Sequence, residues 1–393
     1  MEKPKIRFLK NKHSWVRSTF EEIAKRRTKS SDNPDLPRIE YQDILSGEGR
    51  LNKELSKNID CRKGIVFETH DILYGKLRPY LKNWLHPNFN GIALGDFWVL
   101  QARNCDSKFL FSLVQSPKFQ RVANDTSGTK MPRSDWKTVS QTEFSIPASN
   151  DEQSAIGSLF RTLDDLLANY KDNLVNYQSL KASMLSKMFP KAGQTVPEIR
   201  LDEFEGEWGK YYLGDIFEQV SNYIEPSVEN ELWSLTVENG LIPKTNRYKR
   251  DFLVKKNDKF KKVDVNEFVY NPMNLTLGAL DLNDNEVTIS VSGYYVVMKN
   301  RDIEKFDNDF LKILLKTTYA IYQYKQFATG TLIEKQRVQF PTFSEIPFYL
   351  PPIAEQQAIG ACFSNLDNLI SSHQEKISQL EILKKKLLKD MFI

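Results

Sequence analysis

Glu152-Gln153-Ser154-Ala155-Ile156-Gly157-Ser158-Leu159-Phe160 and Glu355-Gln356-Gln357-Ala358-Ile359-Gly360-Ala361-Cys362-Phe363 open two stretches that superimpose without a gap. At a constant shift of 203, Glu152–Phe189 lies over Glu355–Phe392, and 14 of the 38 positions are identical. Ordinary residue frequencies would give roughly two or three matches. An E-Q-x-A-I-G-x-x-F-x-x-L-D-x-L block reached twice by convergence is far less economical than duplication.

Within each block the apolar positions step by threes and fours. Leu163, Leu166, Tyr170, Leu174, Tyr177, Leu180, Met184 and Met188 form one stripe; Leu366, Leu369, His373, Ile377, Leu380, Leu383, Leu387 and Met391 form the other. No Pro or Gly interrupts either stripe, so each block predicts one long helix. A helix of about 38 residues extends roughly 57 Å at about 1.5 Å per residue. That is too long for a small domain to bury, and pairing the two as an antiparallel coiled coil is the economical solution. The alternative is that each stripe packs only on its own domain.

Working outward, prolines bar helix ahead of both blocks: Ile146-Pro147 before the first, Ile346-Pro347 and Leu350-Pro351-Pro352 before the second. Ser127-Gly128-Thr129 and Thr329-Gly330-Thr331 lie 18 and 16 residues ahead of the Ile-Pro pairs. Trp15, Phe20, Glu22 and Ile23 correspond to Trp208, Leu213, Asp215 and Ile216. Residues 1–148 and 207–350 contain short apolar runs between Gly, Asn and Asp, such as Gly64–Phe67, Ile72–Tyr74, Phe97–Leu100 and Val287–Val291, which predict strands. Helical patterns cover Lys108–Ala123 and Asp309–Phe327. The expected architecture is α+β: globular domains at 1–148 and 207–350, helices at 149–190 and 351–393, a connector at 191–206, and a pseudo-twofold relation between the halves.

A chain of 393 residues with 40% hydrophobic and 27% charged side chains suits folded domains and excludes a disordered or collagen-like reading. Three scattered cysteines make neither a disulfide framework nor a zinc knuckle. No signal-like segment and no spanning apolar run is visible, so no membrane partner and a cytoplasmic location are expected. Net charge is only +4, yet residues 1–148 hold 26 Lys+Arg against 17 Asp+Glu, an asymmetry that suits a polyanionic partner.

Catalytic signatures are missing. There is no phosphate-binding or dinucleotide glycine motif, and Asn271-Pro272-Met273-Asn274 lacks the second proline and aromatic of an amino-methyltransferase tetrad. His13, His70, His86 and His373 show no metal-ligand spacing. No metal or cofactor is expected on this chain.

What remains is cations set among turns and aromatics. Tyr74–Lys82 carries Lys76, Arg78 and Lys82 around Pro79; Thr129–Lys137 carries Lys130 and Arg133; Lys25, Arg26 and Arg27 precede a polar turn. In the second half, Lys244–Lys262 is the densest positive run and includes Lys244, Arg247, Lys249 and Arg250, while Lys335 and Arg337 follow Thr329-Gly330-Thr331 as Lys130 and Arg133 follow Ser127-Gly128-Thr129. Arg can bridge a guanine edge, and Lys can neutralise phosphate. These residues are the expected contacts to double-stranded DNA.

Paired variable domains closed by Ile-Pro or Leu-Pro-Pro, followed by E-Q-x-A-I-G, L-D-x-L and a terminal Met-Phe, resemble the DNA specificity subunits of type I restriction-modification systems. The resemblance spans essentially the whole chain. It implies two target recognition domains reading a bipartite asymmetric site, with the helices measuring the gap and no catalysis in this subunit. It further implies two modification subunits that methylate adenine with S-adenosylmethionine, and restriction subunits that translocate DNA with ATP and Mg. Arg161, Asp165, Asn169, Lys385 and Lys386, outside the stripes, are the expected docking contacts. The chain departs from the pattern in having Ile146-Pro147-Ala148 in place of Leu-Pro-Pro, and in a lead-in, Lys10–Trp15, that reads as shorter than Pro197–Trp208. The competing readings are a structural coiled-coil adaptor and an enzyme with an unrecognised active site.

Overall fold

The computed structural model describes residues 4–8, 14–52, 62–125, 130–227, 230–244, 260–330 and 336–392. The chain divides into two compact units, Met1–Leu174 with Ser372–Ile393, and Val175–Ser371. Both are α+β, and each repeated block is one uninterrupted helix: a central helix Asn150–Lys187 and a C-terminal helix Ile353–Met391. Each helix therefore contributes its first part to one unit and its last part to the other. Among the described residues no helix is long and apolar enough to cross a membrane.

The two units repeat one plan. In the first, Trp15–Thr19 pairs antiparallel with Glu143–Pro147 and brings the ends of the domain together just before the central helix. In the second, Gly209–Tyr212 pairs in the same way with Pro347–Leu350. A four-stranded sheet follows in each, ordered Ala24–Arg26, Phe97–Ala102, Ile72–Gly75, Trp84–Leu85 and Phe217–Val220, Val296–Asn300, Phe268–Tyr270, Leu280–Leu282. The outer layer differs. Among the described residues the first unit adds a second four-stranded sheet, whereas the second unit has two separate strand pairs, Trp233–Thr236 with Gly240–Pro243 and Phe260–Val263 with Ile289–Ser292.

The predicted helical stretches each split in two. Ser116 ends Ser107–Gln115 and starts Pro117–Ala123, its hydroxyl accepting from the Phe119 N–H, and Pro117 has no N–H to continue the first helix. Thr317 plays that part ahead of Thr318–Phe327, accepting from the Ala320 N–H. Val287 and Thr288, included in the predicted strand, lie outside the observed one, which begins at Ile289.

The identities of the repeat are the contacts that dock each helix on a domain. The buried Glu152 carboxylate is gripped by Arg7, Nε to Oε1 at 2.7 Å and Nη2 to Oε2 at 2.8 Å, and accepts from the Trp15 indole at 3.2 Å. Glu355 is gripped by Arg200 at 2.9 and 2.6 Å. Bidentate geometry of this kind offsets the cost of burying the charge. Gln153 accepts from the Asp106 N–H at 2.8 Å and donates to the Pro147 carbonyl at 2.8 Å; Gln356 accepts from the Asp307 N–H at 3.0 Å and donates to the Pro351 carbonyl at 2.8 Å. Asp106 and Asp307 in turn cap their domain helices through Phe109 and Phe310. A Cβ on Gly157 would stand 2.6 Å from the Phe109 backbone nitrogen, and one on Gly360 would stand 3.2 Å from that of Phe310, so glycine permits both approaches.

Arg7 and Arg200 reveal that the repeat begins earlier than the sequence pattern suggested. Pro4-x-Ile6-Arg7 and Pro197-x-Ile199-Arg200 each start 11 residues before Trp15 and Trp208. The lead-ins are therefore equal in length, a correction of the expected shortening at Lys10–Trp15. The Ile6 N–H donates to the Asp390 carbonyl at 3.3 Å, and the Ile199 N–H to the Lys187 carbonyl at 3.0 Å. Lys187 and Asp390 stand at the repeat shift, so both helix C-termini gain donors for carbonyls that the helix cannot satisfy. Residues 191–206 thus include a docking segment.

The terminal Met-Phe pairs pack within the units as well. Phe392 lies 5.4 Å from Phe109 and 5.7 Å from Phe160 in the first unit; Phe189 lies 5.7 Å from Phe310 and 6.0 Å from Phe363 in the second. Phe160 meeting Phe392 while Tyr170 meets His373 makes the two helices antiparallel in the first unit. Lys181 meeting Asp367 while Phe189 meets Phe363 makes them antiparallel in the second.

The predicted stripes need correction at four places. Leu166, Leu180, Leu369 and Leu383 are exposed, and their neighbours Leu167, Lys181, Ile370 and Lys384 turn further inward. The lysines explain the shift at 181 and 384. Lys384 meets Asp164 at 2.6 Å with both side chains 13% exposed, and Lys181 meets Asp367. All four are repeat identities, and the lysine stems cover apolar surface on the way to the carboxylates. Burial pushes the Asp164 carboxyl up, and Lys384 pulls it part of the way back.

The two pairs differ in exposure, 13% for both partners in one against 30% and 53% in the other. Asp164→Asn strands a half-buried ammonium and should cost about 3 kcal/mol, whereas Asp367→Asn should cost under about 1 kcal/mol. Chemical denaturation of the single variants and of Asp164→Leu/Lys384→Met checks this; the double replacement should regain most of the loss.

Candidate nucleic-acid interface

The loop Gly75–Asn83 is tied at its base, and its tip backbone is held by Gly47 and Pro132. The Gly75 N–H donates to the Asn83 carbonyl at 2.7 Å, and a Cβ on Gly75 would come 2.9 Å from that same oxygen, so glycine closes the base. The Tyr41 hydroxyl donates to the Asp96 carbonyl at 2.6 Å and accepts from the Leu77 N–H at 3.2 Å. Burial, with Asp96 adding to it, pushes this phenol up to about 12, which keeps it a donor at neutral pH. The Arg133 segment seals the outer side: the Arg78 N–H donates to the Pro132 carbonyl at 2.7 Å and the Ser134 N–H to the Lys76 carbonyl at 2.8 Å. The two loops predicted separately therefore form one surface.

On that surface Asp96 sits between Arg133, at 2.8 Å, and Lys76, at 3.6 Å, and fixes both heads. Arg78 and Lys82 flank the short helical turn Pro79–Leu81 with φ of +51° and +55°. The left-handed region costs a side chain with a Cβ about 1 kcal/mol or more, and strain of this kind concentrates at functional sites. Both side chains are exposed. Lys130 and Lys25 are exposed nearby in sequence to this loop system and to the Ala24–Arg26 strand respectively.

Two members of the basic Lys25–Arg27 cluster serve the fold instead. Arg27 pairs with Glu68 at 2.7 Å and Asp71 at 2.6 Å, so its charge is neutralised within the unit. Arg26 lies over the Trp136 ring, 4.4 Å from the centroid, and burial pulls its guanidinium down from the ordinary Arg range. Of the docking candidates, Arg161 and Asp165 pair with each other at 3.1 Å on the exposed face, and Asn169, Lys385 and Lys386 are exposed.

In the second unit Arg247, Lys249, Arg250 and Lys335 lie outside the described residues. Lys244 is exposed at the end of the Gly240–Pro243 strand, and Lys261 is turned inward to donate to the Tyr295 carbonyl at 2.7 Å. Arg337 is exposed and bridges Thr329 through its backbone.

Hydrogen bonds identify a counterpart of the Gly75–Asn83 loop that the charge pattern missed. The Asn271 N–H donates to the Ala279 carbonyl as Gly75 does to Asn83, the Leu277 N–H to Asn274 as Leu81 does to Arg78, and the Val338 N–H to Pro272 as Ser134 does to Lys76. The shift is 196, and it carries Glu68-x-x-Asp71-Ile-Leu-Tyr74 onto Asp264-x-x-Glu267-Phe-Val-Tyr270. In both, the second acid accepts from the N–H of the first, at 2.7 and 2.8 Å, and His70 and Asn266 both take positive φ. That acid-x-x-acid-apolar-apolar-Tyr spacing is the signal that could have found the loop. Its tip carries Met273, Asn274 and Leu277, all exposed and uncharged.

Comparison with known proteins agrees with this layout. Residues 205–382 match the family described as type I restriction modification DNA specificity domain. The chain is 23% identical over 380 residues to the type I restriction enzyme MjaVIII specificity subunit of Methanocaldococcus jannaschii, covering 88% of this chain and 84% of that one. It is 24% identical over 188 residues to the EcoDI specificity subunit of Escherichia coli, covering 46% of this chain and 42% of that protein. The crystal structure of a type I restriction-modification S subunit from M. genitalium shares the fold over 100% of this chain and 99% of that one, with a TM-score of 0.62 at 15% identity. The fold is that of a two-unit α+β chain in which a long helix follows each domain. Residues 205–382 thus carry the likeness to a type I DNA specificity domain, and most of the chain is similar to specificity subunits of type I restriction-modification systems.

Gly278 holds the left-handed position that Lys82 holds in the first unit, with φ of +98°. Lys82→Gly should relieve the strain and, after the entropy that glycine adds to the unfolded chain, raise stability by about 0.5 kcal/mol. A fall in the denaturation midpoint would show that Lys82 is not strained.

Proposed function

We propose that the chain reads double-stranded DNA as a bipartite, asymmetric target, one half per unit, and presents the target to the other subunits of its system. The observation that carries this reading is the Arg78–Lys82 turn. It holds two exposed cations in a costly backbone conformation, while Arg27 and Lys261 are consumed by internal contacts. The Arg78 N–H and the Lys82 carbonyl are tied to Pro132 and Gly47, so the unit holds the turn in shape while both cationic heads stay exposed, which fits a surface shaped for a polyanion.

In this reading Lys76, Arg78, Lys82, Lys130 and Arg133 serve the first half-site, with Lys25 at the edge. Lys244, Arg337 and the Asn271–Gly278 loop serve the second. Two modification subunits dock on the helices through the faces of Arg161, Asp165, Asn169, Lys385 and Lys386. S-adenosylmethionine, ATP and Mg belong to the modification and restriction subunits. The two helices, antiparallel within each unit, set the length of the unread gap.

Methylation by the chain together with its modification subunit, mapped across a genome, tests this. The expected motif has two unequal parts and a fixed gap. Arg78→Ala should relax one part, leave the other intact, and lower the salt dependence of DNA binding by about one phosphate equivalent if Arg78 also touches the backbone. Methylation by this chain alone, or a motif insensitive to loop variants in both units, contradicts the proposal.

A further inference from the structure

We infer that Arg78 and Asn274 are matched specificity residues, the first reading a guanine in its half-site and the second an adenine. The inference deepens the proposed DNA reading and rests on it.

The two residues hold one position in the duplicated plan. Each precedes a single helical turn, Pro79–Leu81 or Leu275–Leu277, and each carbonyl accepts from the residue three places on, at 2.9 Å from Leu81 and 3.0 Å from Leu277. Each loop is closed at its base by a bond from Gly75 or Asn271, and sealed on its outer side by the strand-like segment that carries Arg133 or Arg337. Both side chains are exposed and make no polar contact among the described residues.

The chemistry at that shared position differs in a way that base edges distinguish. The guanidinium of Arg78 presents a planar pair of donors, which suits the O6 and N7 acceptors of guanine. The carboxamide of Asn274 presents one donor and one acceptor, which suits N7 and the amino group of adenine. The neighbours follow the same division. Lys76 and Lys82 accompany Arg78, where the second unit has Pro272 and Gly278. Met273 and Leu277, 51% and 58% exposed, flank Asn274 and offer apolar contact to the methyl group of the paired thymine. The first loop therefore couples guanine reading to phosphate contact, and the second reads an A·T pair with little charge of its own.

Motif mapping with the modification subunit present tests this on four chains: the native one, Arg78→Asn, Asn274→Arg and Asn274→Ala. Asparagine tolerates the left-handed backbone at residue 78, and thermal melting of each variant verifies folding. Asn274→Ala should relax an A·T position in one half-site by roughly tenfold to a hundredfold in preference. Asn274→Arg should move that position toward G·C, and Arg78→Asn should relax a G·C position in the other half-site only. If folded variants relax positions of other base identity, or both relax the same half-site, the assignment is overturned while the DNA reading stands. If no motif position responds to any folded variant, the assignment and the proposed reading of these loops both fall.

Discussion

The buried Glu152 and Glu355 carboxylates are the constraint on which the rest of the molecule depends. Each is held bidentately by an arginine from a lead-in segment, Arg7 or Arg200, and each begins the helix that follows its own domain. A carboxylate removed from water is costly unless such a partner is present, so lead-in, helix and domain can be buried only together. The adjoining glutamine ties the helix to the backbone at Asp106 or Asp307, and the glycine four residues further on lets the helix press against the capped end of a domain helix. The long helices are thus anchored at their starts by polar contacts with demanding geometry. At their ends they are anchored by Met188-Phe189 and Met391-Phe392, buried in the cores.

Between these fixed points the two domains diverge where they face outward. The sheet of four strands, the strand pair at the domain base and the capped helices recur in both units, whereas the outer strand layers differ among the described residues. The loops built on the shared sheet keep the three hydrogen bonds that close them and exchange their side chains: Lys76, Leu77 and Arg78 against Pro272, Met273 and Asn274. The closure of the loop stays constant while its tip changes in side chain and in local backbone, from φ of +51° at Arg78 to −121° at Asn274, a framework suited to changing what is read. It also explains why net charge is a poor guide here, since one loop is cationic and its counterpart is neutral.

The sequence made the duplication legible because polar docking residues tolerate little variation in spacing, so the E-Q-x-A-I-G block survived in register. Two features were obscured. Leu166, Leu180, Leu369 and Leu383 fit the apolar stripes by residue type, yet the inward-turned positions include Lys181 and Lys384, whose charges meet Asp367 and Asp164. Positive charge does not mark the Asn271–Ala279 loop, because that loop carries none. Only its hydrogen bonds, and the acid-x-x-acid spacing ahead of Tyr74 and Tyr270, disclose it. Charge alone equally overvalued Arg27, which neutralises Glu68 and Asp71.

The central claim is that one framework carries two interchangeable readers. Replacing residues 16–146 with 209–349, which leaves Arg7, Trp15 and the Glu152 block in place, and mapping methylation in the presence of the modification subunit tests it most directly. The account predicts that the chain folds and that its target becomes symmetric, with the half-site of the second unit appearing twice in inverted orientation. A folded chimera that keeps the original asymmetric target would contradict it.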